Sequence, residues 1–357
     1  MTGKERITNI LKREPVDRIG LYEHFWQDTR NLYTEQGHTQ QGENLDEHFG
    51  FDMSMYWPLN KVLNVDFEPF TISEDENTIT TKDGNGATLR RFKNKVTPPE
   101  NVDYDIKERK DWDKVKHLLF ENLEKRIYSG AYRDAKTTAE KASRFFASAG
   151  PLVFEDILFI CGHVNMLLGM ADDPDWFSDM ANTYAELTIK LQETLFEREG
   201  YPDGLFYYED LGFKGKTFMS PRMYRELLFP VHKYTFDWAH SKGLPVILHS
   251  CGYFETLIPD LIETGVDCFQ TLEVKAGMDV VKIHQKFGER VSFMGGIDIR
   301  ALYTNDCKEI DKELERVIPA VKNGYGFIAH SDHSIPYTVN YESLKYYFDR
   351  VLELGRY

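Results

Sequence analysis

The sequence predicts an α/β fold, a (β/α)8 barrel of the TIM type with a small β-hairpin insertion near the N-terminus. Two observations lead to this prediction. Eight short segments have the composition of strands, and from about residue 111 onward they alternate with helical segments. Parallel strands joined by helices close into a barrel when eight such units follow one another. We therefore expect residues 1–357 to form one barrel domain.

The individual elements follow from local patterns. Thr2 and Glu5 have the spacing of a capping box, which begins a helix that ends before Pro15. Residues 65–95 alternate apolar and polar side chains around a glycine-rich turn, so they predict the hairpin insertion. The eight barrel strands are predicted at 19–25, 51–57, 144–149, 204–208, 245–249, 267–273, 291–296 and 326–330. The helices are predicted at 111–141, 153–169, 176–198, 221–242, 255–264, 278–287, 306–322 and 340–354. A doubly wound open sheet is the rival architecture, but the glycine fingerprint it usually carries after its first strand is absent.

Composition and charge exclude several function classes. The 357 residues carry a net charge of −15, which repels phosphate backbones and makes nucleic acid an unlikely partner. The charged N-terminal segment lacks the apolar core of a signal peptide, and no stretch approaches the roughly 18 apolar residues of a membrane span. The four cysteines are too few and too scattered for a disulfide framework. We expect a cytoplasmic protein that contacts neither membrane nor nucleic acid.

The carboxyl ends of the predicted strands carry most of the ionisable side chains. In a barrel these ends share one mouth, where the active sites of such enzymes lie. His249 and Cys251 are two residues apart on an extended segment, so both side chains leave the same face and can bind one metal ion. His333 after the last strand, or an acid such as Glu209, would complete a catalytic zinc site. The alternative is that His249 forms an ordinary hydrogen bond and Cys251 fills space.

Other residues near the strands are candidates for catalysis or substrate binding. Adjacent acids in such loops also serve as helix caps, and tyrosines that alternate across a strand include at least one core residue. Asp332 would either orient a histidine or turn its loop. We assign catalytic roles to Glu209, Asp210 and Asp332, and substrate-binding roles to Asp52, Trp57, Glu155, Tyr207 and Glu273.

Four motifs carry a resemblance to a known family. They are HSCG at 249–252, YYEDLG at 207–212 followed by MSPRMYRELLFP, FMGGID at 293–298, and HSDHSIP at 330–336 followed by VNYE. In this order they resemble the uroporphyrinogen decarboxylase superfamily, whose fold is a (β/α)8 barrel. True decarboxylases carry an Arg-Gln-Ala-Gly-Arg-Tyr signature after the first strand, and its arginines clamp substrate carboxylates. Here the matching stretch, residues 22–28, has no arginine and contains two acids, which argues against that substrate.

The other branch of the superfamily, the cobamide-dependent methyltransferases, is more similar to this chain. The resemblance implies that His249 and Cys251 bind zinc, with His333 at the position of the branch's further cysteine. It also implies methyl transfer between a methylcorrinoid on a partner protein and a small acceptor such as a thiol, and a homodimer by analogy. Two rivals stay open. One is a decarboxylase of a tetrapyrrole or another small carboxylic acid that uses Asp52 or Asp332 with His333, and the other is a non-catalytic corrinoid- or tetrapyrrole-binding barrel.

The metal prediction is tested by elemental analysis of the purified protein. We expect about one zinc per chain, lost in both His249→Ala and Cys251→Ala, because a site with an open position cannot spare one of its ligands. Carefully prepared wild-type protein that contains no metal would instead favour the decarboxylase.

Overall fold

A computed structural model describes residues 1–94 and 97–357. Eight parallel strands form a nearly closed barrel. They are β1 (Gly20–Leu21), β2 (Met53–Tyr56), β7 (Phe145–Pro151), β8 (Gly204–Tyr208), β11 (Val246–Ser250), β12 (Cys268–Thr271), β13 (Ser292–Gly295) and β14 (Phe327–Ala329). Neighbouring strands follow the order β1-β14-β13-β12-β11-β8-β7-β2. Between its two end strands, the backbone N–H of Asp52 donates to the Leu21 carbonyl at 2.9 Å. The predicted fold class is confirmed.

The helices surround the barrel and alternate with its strands. Proline breaks one predicted helix in two, since Pro230 lies in the first turn of the second helix, where it needs no backbone N–H donor. The segment predicted as helix at 111–141 contains two α-helices separated by two 3₁₀ turns, Lys116–Phe120 and Leu123–Arg126. The helices are α1 (Gly3–Lys12), α2 (Gln27–Glu35), α3 (Leu45–His48), α4 (Arg109–Val115), α5 (Ser129–Lys141), α6 (Val153–Asp172), α7 (Pro174–Glu199), α8 (Pro221–Leu227), α9 (Phe229–Ser241), α10 (Ile258–Thr264), α11 (Val280–Phe287), α12 (Ile299–Tyr303), α13 (Cys307–Val321) and α14 (Tyr341–Leu354).

The insertion is a four-stranded antiparallel sheet. Its strands are β3 (Phe70–Glu74), β4 (Thr78–Lys82), β5 (Ala87–Phe92) and β6 (Glu100–Tyr104). The last strand was not predicted, because its charged sequence lacks apolar alternation, and residue 95, the predicted end of the insertion, lies outside the described residues. A further two-stranded ribbon, β9 (Gly212–Phe213) and β10 (Lys216–Thr217), follows β8.

Helix α6 corrects one prediction made from the sequence. Within the described residues it is long and apolar enough to cross a membrane by length and composition alone, contrary to the expectation that no segment would be. More than half of its apolar window, 56%, is buried inside the protein. The core helix of a globular protein passes the same test, and packing between the barrel and neighbouring helices accounts for the buried apolar residues of α6.

Asp52 lies at the amino end of β2, opposite the barrel mouth. Its carboxylate accepts hydrogen bonds from Arg6 Nη1 at 2.5 Å, from both terminal nitrogens of Arg18 at 2.7 and 2.9 Å, and from the Leu21 backbone at 2.9 Å. The residue is only 3% exposed. These contacts do not support the predicted substrate-binding role of Asp52, or its role as a proton donor in the rival decarboxylase: the carboxylate anchors the N-terminal segment to the barrel floor.

This assignment predicts a large loss of stability without a change at the barrel mouth. Asp52→Ala leaves two arginines without their buried partner, so we expect the free energy of unfolding to fall by about 3–5 kcal/mol. The exposed Asp134→Ala serves as control and should change it by less than about 0.5 kcal/mol. Urea denaturation measures the free energy of unfolding of both variants. Wild-type stability in Asp52→Ala would contradict the assignment.

Candidate metal centre at the barrel mouth

Three potential metal ligands converge at the carboxyl ends of β8 and β11. The ligand atoms of Asp210, His249 and Cys251 all lie within 4.8 Å of one another. Among the described residues, this is the group of three or more histidine, cysteine or acidic side chains that could hold a metal ion. His249 Nε2 is 3.3 Å from the Cys251 Sγ and 3.4 Å from Asp210 Oδ1. An imidazole, a thiol and a carboxylate facing one point form a donor set of the kind that binds a borderline-soft divalent cation.

A buried glutamine orients the His249 ring. Gln270 occupies the position on β12 paired with His249, and its Oε1 lies in short hydrogen-bond contact with His249 Nδ1. Because the amide oxygen can only accept, Nδ1 carries the proton and donates it. The other nitrogen, Nε2, then offers its lone pair toward Cys251 and Asp210. This is how ligating histidines are held in metal sites, with the distal N–H fixed by a second group.

The group attracts positive charge. Burial acts to lower the pKa of His249, but the neighbouring Cys251 and Asp210 raise it well above its usual value. Burial acts to raise the pKa of Asp210, yet its bond to His249 leaves that pKa below the ordinary value. Burial raises the pKa of the Cys251 thiol, and His249 offsets part of that rise. The three side chains therefore favour a cation between them, either a proton on His249 or a metal ion.

Backbone packing fixes the position of Cys251. Its N–H donates to Asp210 Oδ1 at 2.6 Å, and the next residue, Gly252, has a φ of +76°. A Cβ at Gly252 would collide with the Gly212 backbone, so only glycine lets the loops after β8 and β11 approach this closely. A cavity of about 280 Å³ opens beside Cys251 and is lined by Gly212, Phe213, Lys214, Gly252, Glu273, Lys275 and Ala276.

His333, the third ligand expected from the sequence, is not part of the three-residue group. Its ring stacks on Trp26 at 5.9 Å between centroids, and its Nδ1 faces the Ser334 carbonyl at 3.5 Å. Burial lowers the pKa of His333. The structure brings Asp210, which we had predicted to be catalytic, to the place where a third ligand is needed. A ligand role for His333 stays a prediction.

Two of the predicted catalytic acids have backbone partners instead. Glu209 is fully buried and accepts from the Phe154 N–H at 2.9 Å and from His232 Nε2 at 2.7 Å, at the start of α6. Asp332 is fully buried and accepts from the N–H groups of Val274 and Ile299, each at 2.8 Å. Burial raises the pKa of Asp332 to about 6. Of the two roles considered for Asp332, the contacts support holding loops together.

Two stacked aromatic rings, those of Tyr208 and Trp57, extend from His249 toward solvent, and we call them the aromatic wall. Tyr207 points away from the barrel interior, is 1% exposed, and donates to Gln192 Oε1 at 2.9 Å, so its contacts do not support the predicted substrate-binding role. Alternation along β8 places Tyr208 inside instead. The Tyr208 ring is 4.8 Å from the His249 ring and stacks on Trp57 at 5.5 Å. Trp57 is 43% exposed, so it is placed where a substrate could contact it.

Glu155 and Glu273, both predicted to bind substrate, lie beside the three potential metal ligands Asp210, His249 and Cys251, which we call the trio. Glu155 Oε1 accepts from the Asp210 N–H at 3.3 Å, and burial together with the charges of Asp210 and Glu209 raises its pKa to about 8. Glu273 accepts from the Gly252 N–H at 2.8 Å and pairs with Lys275 at 3.3 Å. Both carboxyl groups line the mouth, and both also hold backbone.

Two neutral histidines lie deeper in the barrel, below His249. His24, which lies at the end of the first predicted strand, has its Nδ1 2.9 Å from His330 Nε2. Burial lowers the pKa of His330 to about 3 and that of His24 well below its usual value. Glu23 accepts from the Ser331 N–H at 2.8 Å, and burial raises its pKa to about 8. The floor of the site is therefore polar but uncharged at neutral pH.

Comparison with known proteins agrees with this geometry. The family model for uroporphyrinogen decarboxylase (URO-D) matches residues 155–354, more than half of the chain, and this range contains the whole trio. The chain belongs to the URO-D family. The predicted resemblance is thereby confirmed.

Relatives of this URO-D family chain include methyltransferases. The methylated-thiol–coenzyme M methyltransferase of Methanosarcina mazei is 27% identical over 160 residues, which are 42% of this chain and 39% of that protein. The match thus spans about two fifths of the curated relative. A solved structure of a methyltransferase from Methanosarcina mazei superposes with a TM-score of 0.71 at 16% identity and covers 99% of each chain. That likeness establishes the fold, and the sequence match makes the chain homologous to methyltransferases.

The sequence contained a signal for one site residue of this URO-D family chain that we missed. Gln270 is a long polar side chain in the middle of a predicted strand and is 1% exposed, so its amide needed a buried partner. His232, the partner of Glu209, gave no such signal, because a histidine in a helix that packs on the barrel looks the same as any core histidine.

The choice between Asp210 and His333 as third ligand is decided by metal affinity. Asp210→Asn keeps an oxygen that can accept from the Cys251 N–H but removes the charge, so we expect zinc affinity to fall at least about 10-fold. His333→Ala should leave it within about 2-fold. Competition against a chromogenic chelator measures both. Strong loss in His333→Ala together with none in Asp210→Asn would favour the ligand set expected from the sequence.

Proposed function

We propose that this chain is a zinc-dependent methyltransferase that exchanges a methyl group between a small molecule and a methylcorrinoid carried by a partner protein. The observation that carries the proposal is the convergence of Asp210, His249 and Cys251 at the barrel mouth. Homology to a methylated-thiol methyltransferase supports the reaction class.

The donor set suits zinc. Cysteine sulfur, imidazole nitrogen and carboxylate oxygen are all zinc ligands, and three protein ligands with a fourth position left for substrate are typical of catalytic zinc. When bound, zinc would act as a Lewis acid that lowers the pKa of a small thiol. His249 would ligate through Nε2, since its Nδ1 is held by Gln270.

For a thiol acceptor, the chemistry balances as a methyl transfer. The acceptor thiol would release its proton to solvent, its sulfur would form a bond to the methyl carbon, and the carbon–cobalt bond of the methylcorrinoid would break. The electron pair of that bond stays on cobalt, which passes from Co(III) to Co(I), and the product is a thioether. The residues of this chain hold and orient the acceptor: Asp210, His249 and Cys251 around its reacting end, and Tyr208 and Trp57 along one side.

The charges of the mouth disfavour the rival substrate, a polycarboxylate tetrapyrrole. Lys275, at the cavity beside Cys251, pairs with Glu273, and the mouth also contains Asp210. Glu23 lies in the stretch where true decarboxylases have their arginine clamp. It is buried and bonded to the Ser331 N–H. The mouth thus carries the Asp210 carboxylate, and residues 22–28 supply no arginine to pair with a multiply charged anion.

The proposal is tested by methyl transfer from methylcobalamin, used in place of the partner-bound corrinoid, to a small thiol. We expect thioether formation by zinc-loaded wild-type protein and a loss of at least about 100-fold in Cys251→Ala and His249→Ala, because the acceptor is no longer activated. Cys307→Ala is the matched control, since this exposed cysteine begins α13, and it should keep full activity. Turnover that is unchanged in Cys251→Ala would contradict the proposal.

A further inference from the structure

A second cavity lies beside the barrel mouth, on the outer side of the aromatic wall. Its volume is about 440 Å³, and it is bounded by the loop after β2, the turn between β4 and β5 of the insertion, the end of β7, and helix α6. Trp57 belongs to both places, because its ring stacks on Tyr208 at 5.5 Å and also lines this cavity. The cavity thus adjoins the candidate metal centre through one stacked pair of rings.

Three partly exposed aromatic rings line this cavity. Trp57 is 43% exposed, Tyr128 is 46% exposed and Phe159 is 42% exposed, and they come from three separate segments of the chain. Large aromatic side chains usually bury most of their surface, and leaving three of them open around one cavity is costly in water. A flat ring placed against them would recover that surface and gain ring–ring contact.

The polar lining of the cavity offers donors and no unpaired charge. Asn60 Oδ1 accepts from the Val62 N–H at 3.1 Å, and Asn85 Oδ1 accepts from the Leu63 N–H at 2.9 Å. These bonds use the amide oxygens, so the NH2 groups are left as donors, and within residues 1–94 and 97–357 neither has a hydrogen-bond partner. Lys61 is buried and pairs with Asp156, and it also donates to the Pro151 carbonyl at 2.7 Å.

We propose that this cavity binds a planar, uncharged aromatic molecule with oxygen substituents that accept hydrogen bonds. The rings of Trp57, Tyr128 and Phe159 contact its faces and edge, and the amides of Asn60 and Asn85 donate to its oxygens. An anion gains nothing here, because Lys61 is already neutralised by Asp156. The ring site stands on its own geometry. Its use as the outer part of the substrate pocket rests on the proposed methyl transfer, with Trp57 separating the ring from the metal ligands.

The site is tested by calorimetric titration with 2-methoxyphenol, with 2-methoxycyclohexanol as the non-planar analogue and benzoate as the charged one. The titration uses wild-type protein and His249→Ala, in which the metal centre is disabled. We expect 2-methoxyphenol to bind both proteins equally, and at least about 10-fold more tightly than either of the other compounds. Equal affinities for 2-methoxyphenol and 2-methoxycyclohexanol would overturn the proposal.

Variants on one helix supply the matched comparison. Phe159→Ala should weaken 2-methoxyphenol binding about 3- to 10-fold. Leu168→Ala removes another exposed apolar side chain of α6, 55% exposed, that does not line the cavity, and should have no effect. Trp57→Phe should retain more affinity than Trp57→Ala. Equal affinities in Phe159→Ala and Leu168→Ala would also overturn the site. Ring binding by a protein that never transfers methyl groups would leave this inference standing and remove the proposed function.

Discussion

The loops of the barrel mouth are held together by carboxylates that accept hydrogen bonds from the backbone of neighbouring loops. Glu23 after β1 binds the Ser331 N–H after β14, and Asp332 after β14 binds N–H groups after β12 and β13. Glu273 after β12 binds the Gly252 N–H after β11, and Asp210 after β8 binds the N–H of Cys251. A parallel barrel directs all these loops to one end and leaves their backbone donors without strand partners, so acids must satisfy them.

This arrangement separates acids that build the mouth from acids that face its centre. Glu209 and Asp332 are completely buried and engaged by backbone, so their removal would displace whole loops. Asp210 Oδ1 both accepts from the backbone N–H of Cys251 and lies 3.4 Å from His249 Nε2. It is therefore the acid that links the scaffold to the candidate metal centre. The same bond that positions Cys251 also brings its carboxylate within ligand distance of the pair.

The sequence was sufficient for the fold, because the alternation of strands and helices is a local signal repeated along the chain. It also located the mouth and the His249–Cys251 pair, since strand ends follow from strand boundaries. It was less informative about roles. Asp52 and Tyr207 lie close to predicted strand ends, yet one sits at the amino end of β2 and the other faces outward, and a shift of one residue along a strand reverses the facing.

The identity of the third metal ligand also could not be predicted from the sequence. Glu209 and Asp210 are adjacent and chemically alike, and only the turn after β8 decides that the first caps α6 while the second faces His249. Likewise, His333 follows the last strand, but its ring stacks on Trp26. Which side chain faces the metal centre depends on how loops far apart in the sequence pack together, and hydrophobic periodicity carries no information about that packing.

The most direct test of the central claim is zinc K-edge X-ray absorption of the metal-loaded protein. Ligation by Asp210, His249 and Cys251 predicts one sulfur neighbour at about 2.3 Å and nitrogen or oxygen neighbours at about 2.0–2.2 Å, with a second sulfur appearing when a small thiol is added. A zinc ion with no sulfur neighbour, or one whose surroundings do not change on addition of thiol, would contradict the account.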